Sequence, residues 1–149
     1  SAASDVYKRQ MCNSFKQELL GGVHDLDTHT LKLALIKPSP TGSFGAATTN
    51  YSELTSTSDE ASGTNYSAGG QNLDSATISL SGTTAFVDFA DEVFSNLTIT
   101  AAGALIYNSS ASNKAIAVFS FGSNVASTAG DFTVIFPAAD ASNAVLRIT

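Results

Sequence analysis

The chain has 149 residues, enough for one domain with one core, and its 43% hydrophobic against only 13% charged content excludes an intrinsically disordered chain. Thirteen acidic and seven basic side chains give a net charge of −6, and beyond Lys8 and Arg9 the bases Lys16, Lys32, Lys37, Lys114 and Arg147 stand singly, so direct nucleic-acid binding is not expected. Cys12 is the only cysteine, which removes an intrachain disulfide and a cysteine-based metal site, and no run approaches the roughly eighteen apolar residues of a membrane span.

Ser1 to Gln10, SAASDVYKRQ, hold three of the charges, show no apolar periodicity and stop just before Met11. The segment resembles a translated sequencing-adapter read-through. On that resemblance the natural chain starts at Met11, residues 1–10 are a non-native or disordered tail with no role in the fold, and twelve acids then face five bases, for a net charge of −7. The N-terminus also lacks the apolar core of a signal peptide.

Asn13 is expected to cap a short helix whose Phe15, Leu19 and Leu20 share one face before Gly21-Gly22 stops it. A helix this short needs tertiary packing, so Phe15 and Leu19 are expected against a sheet or an interface. From Thr30 to Lys37 the period becomes two, with Leu31, Leu33 and Leu35 on one face, and Pro38 and Pro40 end the strand. Ser39 to Gly70 is polar and reads as the longest loop, interrupted by a short strand near Tyr51 to Leu54.

Strands then recur at Ala76 to Leu80, Ala85 to Phe89, Leu97 to Thr100, Ala104 to Tyr107, Ala115 to Phe121, Phe132 to Phe136 and Ala144 to Ile148. The turns between them are Ser81-Gly82-Thr83, Ala102-Gly103, Asn108 to Asn113, Gly122 to Asn124 and Ala129-Gly130. With no helical pattern between strands, the expected fold is all-β: a single-domain antiparallel β-sandwich of about eight or nine short strands with one short N-terminal helix, spanning Met11 to Thr149.

Two ionisable clusters are metal candidates, both weak. His24, Asp25, Asp27 and His29 offer nitrogen and oxygen donors on one loop, but their spacing fits no metal motif and Asp and Thr suit turns equally. Asp88, Asp91 and Glu92 close a strand without the spacing or central glycine of a calcium loop. Paired carboxylates also suit a glycosidase, yet the chain has no Trp for a sugar platform. Both histidines share one turn, no Gly-x-Ser-x-Gly elbow is present and no Lys follows the glycine pairs, so no catalytic residue and no cofactor are expected. Tyr51 and Tyr66 are candidates for an exposed binding face, and Tyr107 for core or interface.

Asn13-Ser14-Phe15-Lys16-Gln17-Glu18-Leu19-Leu20-Gly21-Gly22, Asp27-Thr28-His29-Thr30-Leu31-Lys32-Leu33-Ala34-Leu35, Gly103-Ala104-Leu105-Ile106-Tyr107-Asn108 and Ala117-Val118-Phe119-Ser120-Phe121-Gly122 resemble a group of small virion-associated proteins of tailed bacteriophages. The likeness is one of order: a short helix, a strand read as Asp-Thr-x-Lys-x-Ala-Leu, a Ser/Thr-rich loop, then a β meander with a Gly-Ala-Leu-Ile-Tyr strand. It implies a non-enzymatic structural part of a virion assembled in the host cytoplasm, either a capsid decoration (cement) protein or a tail-associated subunit. Its implied partners are other virion proteins and further copies of itself. The alternative is a carbohydrate- or receptor-binding β-sandwich that holds a host glycan through the 39–70 loop, the tyrosines and the Asp88 to Glu92 cluster.

Overall fold

The computed structural model describes residues 2–5 and 8–149. After β1 (Ala2–Asp5) and β2 (Lys8–Met11) come α1 (Asn13–Leu20), β3 (Leu31–Ile36), the short helix α2 (Ser52–Ser56) and β4 (Gln71–Asn72). The hairpin of β5 (Thr77–Ser81) and β6 (Thr84–Asp88) follows, then the long strands β7 (Glu92–Asn108) and β8 (Lys114–Ile135), and β9 (Leu146–Ile148). The fold is all-β and sandwich-like, with two sheets and a short N-terminal helix.

The larger sheet runs β4-β3-β7-β8, and the smaller runs β5-β6-β9. β8 is long enough to take two partners on its outer edge: β2 pairs antiparallel with residues 117–120 and β1 parallel with residues 132–135. The first ten residues, expected to contribute nothing to the fold, supply these partners; Ser1, Val6 and Tyr7 of that segment lie outside the described residues.

Several expected turns are instead bends within continuous strands. Ala102-Gly103 lies inside β7, and Gly122 to Asn124 and Ala129-Gly130 lie inside β8, so four expected short strands become two long ones. The turn-forming residues act as bulges: the register shifts between Phe94 and Leu97, between Leu97 and Ile99, and between Ala101 and Gly103, where five residues of β8 span two of β7. Asn96 (φ +51°), Gly122 (φ +79°) and Ala129 (φ +45°) take the left-handed conformation at these steps. Of the expected turns, Ser81-Gly82-Thr83 does reverse the chain tightly, with Gly82 and Thr83 linking β5 to β6 and Gly82 at φ +59°.

Residues 104–108 of β7, with one further register shift between Ile106 and Tyr107, are buried on both faces. On one face Ile106 and Ala104 lie opposite Leu33 and Leu35 of β3, under α1 and the smaller sheet. Leu105 and Tyr107 face the other way, under the 38–70 segment. Phe15 is buried and the two sheets share one core. Cys12 rather than Asn13 precedes α1, without a side-chain cap, and Leu20 turns away from Phe15 into solvent.

The strand expected near Tyr51 to Leu54 is helix α2. Glu53 Oε2 accepts hydrogen bonds from the Thr49 and Asn50 N–H groups at 2.7 and 3.2 Å, and Asn50 Oδ1 accepts from Ser52 N at 3.0 Å. This is the reciprocal capping of a helix start, written in the sequence as Asn50-x-x-Glu53. Asp59 is fully buried and closes the preceding turn: it accepts from Thr41 N and Gly42 N, and Lys37 Nζ stands 3.1 Å away. Burial opposes its ionisation, yet these hydrogen bonds outweigh that and hold the carboxyl well below the usual range.

At Gly103 a Cβ would run into the Phe119 carbonyl oxygen across the β7–β8 ladder. Gly103→Ala is expected to cost about 1–3 kcal/mol by forcing the ladder apart, read as a lower urea midpoint in equilibrium unfolding.

Candidate functional site

The first metal candidate is a polar clasp. Asn108, 84 residues from His24, donates through Nδ2 to His24 Nδ1 at 3.0 Å and to His29 Nδ1 at 2.9 Å. Its Oδ1 accepts from Ser110 N at 3.0 Å, which fixes the amide orientation. Nδ2 can only donate, so both Nδ1 atoms are acceptors, and the His24 proton sits on Nε2, facing Glu18 Oε2 at 2.8 Å. Glu18 also meets Lys114 Nζ at 3.3 Å, and the His24 ring stands edge-on to Phe15. Asp25 points away into its own turn, accepting from Asp27 N, Thr28 N and the Thr28 hydroxyl. The Thr28 hydroxyl, helped by the two N–H groups, holds the Asp25 carboxyl below its usual range. The Nδ1 lone pairs a metal would need are therefore engaged within the protein.

The second candidate is dispersed. Asp91 Oδ1 accepts from Phe136 N at 2.9 Å, and Asp88, half-buried on β6, is pushed up by burial with Asp91 adding to it. Glu92 is buried beside Gln71, whose amide, turned nitrogen inward, donates to Glu92 Oε1 at 2.5 Å and to the Val93 carbonyl at 3.1 Å. Among the described residues no three His, Cys, Asp or Glu side chains are grouped to hold a metal ion.

Tyr51, Tyr66 and Tyr107 look inward. Glu60 gathers Tyr51 Oη at 2.5 Å, Tyr66 Oη at 2.8 Å and Gly69 N at 2.7 Å, while Tyr66 Oη accepts from Leu35 N at 2.9 Å. Tyr107 is buried, donates to the Gly69 carbonyl at 2.7 Å and stacks on Tyr51 at 4.5 Å. Burial, with Glu60 nearby, pushes the Tyr107 hydroxyl up to about 12. Tyr51, Tyr66 and Tyr107 thus fasten the 38–70 segment to β3 and β7, and their hydroxyls are not offered to a ligand.

What the surface does offer is apolar. Leu20 is 92% exposed, Leu80 74%, Ile78 52% and Ile148 51%. The register explains the alignment: Ile78 lies opposite Val87, Leu80 opposite Ala85, and Ala85 opposite Ile148, so all project from one face of the smaller sheet. That face covers Phe15 and Leu26 at its inner end and overhangs α1 at its outer end. Of the expected interface residues, Phe15 belongs to the core, Tyr107 to the 38–70 fastening, and half-buried Leu19 does line this shelf. Ile78 and Leu80 lie in a strand legible in the sequence; that their face is left exposed was not.

Comparison of the chain with protein-family models, curated proteins and solved structures finds no match.

Replacing Asn108 by Ala takes the donor from His24 Nδ1, leaves His29 Nδ1 with the Asp25 N–H at 3.3 Å and uncaps the 109–111 turn; a loss of about 2–3 kcal/mol is expected in urea unfolding. Glu92 supplies a pH signature. Burial, with Asp74 adding to it, pushes its carboxyl from 4.5 up to about 7. Between those values the folded chain keeps a proton that the unfolded chain has released, so the group's contribution is full below pH 4.5 and is lost as pH rises through 7. Glu92→Gln is expected to match the parent closely at pH 4.5 and to exceed it by about 3 kcal/mol at pH 8, measured by urea unfolding at both.

Proposed function

We propose that the chain is a non-enzymatic structural subunit that docks on other subunits through the Leu19–Leu20–Ile78–Leu80–Ile148 shelf, in the manner of the tailed-phage virion proteins its sequence resembles. It serves either as a capsid decoration protein or as a tail-associated component. The observation that carries the reading is the shelf itself. An exposed aliphatic side chain forgoes about 1.5–3 kcal/mol that burial would supply, and here four converge on one edge of the molecule. The ionisable clusters, by contrast, serve internal hydrogen bonds. A subunit repeated over a lattice needs only a modest interface, because many weak contacts act together.

Leu20→Glu and Leu80→Glu change exposed side chains, so each should shift folding stability by less than about 0.5 kcal/mol. Assembled particles should lose the subunit when both are present. Electron microscopy of particles with and without the chain should show its density at regular capsid or tail positions; unchanged occupancy by the double variant, or absence of the chain from purified particles, removes the proposal.

A further inference from the structure

The shelf has a concave part. Met11, Lys16, Leu19, Leu20, Arg147 and Ile148 line a groove of about 250 Å³ between α1 and β9. It continues inward to a recess of about 120 Å³ closed by Phe15, Leu26, Val87 and Leu146. A recess near this size takes one ring or branched aliphatic side chain, since an apolar cavity of about 150 Å³ holds a benzene molecule.

The charge around the groove is opposite to that of the chain. The net charge is −6, yet no described residue lining the groove or the recess is Asp or Glu, and Lys16 and Arg147 both stand at the rim. The acid of the same helix, Glu18, is turned to His24 and Lys114. Asp140, which acts electrostatically on Arg147, spends its carboxylate on Ser142 and Asn143, and Arg147 Nη1 donates to the Ala141 carbonyl at 2.9 Å.

Resting on the docking role proposed above, we infer that the groove receives an acidic, apolar-faced segment of another protein. One apolar side chain enters the recess, and carboxylates flanking it meet Lys16 and Arg147. Electrostatic complementarity then selects the partner, and burial of the apolar side chain holds it. A second copy fits less well, because an isologous contact would set each cationic rim against its twin. A bilayer fits less well because it is flat where the groove is concave.

The test uses a synthetic amphipathic helical peptide with a Leu stripe flanked by Glu, and a twin with every Glu replaced by Lys. Each is titrated into the full ¹⁵N-labelled chain. The Glu peptide is expected to shift the amide signals of Leu19, Leu20 and Ile148, and to bind about tenfold more tightly than its twin. Lys16→Glu should weaken the Glu peptide about tenfold while leaving the rest of the spectrum in place, and raised salt should weaken it too. Arg147→Glu serves as a second variant. Equal binding of the two peptides, shifts confined to another surface, or no binding of the Glu peptide overturns the inference. So does preferential binding to phosphatidylserine vesicles, or dimerisation that Lys16→Glu changes. Particles that keep Lys16→Glu but lose Leu20→Glu would leave the docking role standing and this inference refuted.

Discussion

Residues 104–108 of β7 have no face left for water, and that constraint organises the molecule. A strand buried on both sides needs two covers, and neither α1 nor the 38–70 segment has enough apolar surface to stay down by packing alone. Two neighbours at the end of the strand resolve this. Tyr107 projects to one side and binds the Gly69 carbonyl; Asn108 projects to the other and binds both histidines of the turn that follows α1. Period-two alternation alone makes consecutive residues fasten opposite layers.

The fastenings are polar because the covers are polar. The 38–70 segment contributes backbone donors and hydroxyls, and a carboxylate accepts several of them at once, as Glu60 does for Tyr51, Tyr66 and Gly69, and Asp59 for Thr41 and Gly42. Buried acids that are fully hydrogen-bonded add order that a Ser- and Thr-rich loop lacks by itself. Glu92 is the contrasting acid: burial, with Asp74 adding to it, raises its carboxyl although the Gln71 amide faces it.

The parts of this fold that depend on local order were legible in the sequence. Leu31, Leu33 and Leu35 alternate because one face of β3 is core, Gly82 marks a true reversal, and the Asn108 to Asn113 run does turn the chain. Gly103, Gly122 and Ala129 misled, because the same residues that close turns also permit bulges, and only the partner strand decides which occurs. Asn50 and Glu53 carried a helix start that the apolar pattern around Tyr51 and Leu54 obscured. The site was less legible still. His24 and His29 look like ligands until Asn108 arrives from the neighbouring strand β7, and the shelf is built from side chains of α1, β5 and β9 that lie far apart in the sequence.

Cys12 gives the arrangement a built-in clock. Its thiol lies under the 38–70 segment, 3.7 Å from the Gly45 carbonyl, and burial, with Glu53 and Glu18 adding to it, pushes it up to about 12. At neutral pH almost no thiolate exists in the closed molecule, so an alkylating reagent waits for that cover or α1 to lift. As the chain carries one cysteine, the rate of alkylation counts openings of this single seam, without a label or any change to the sequence.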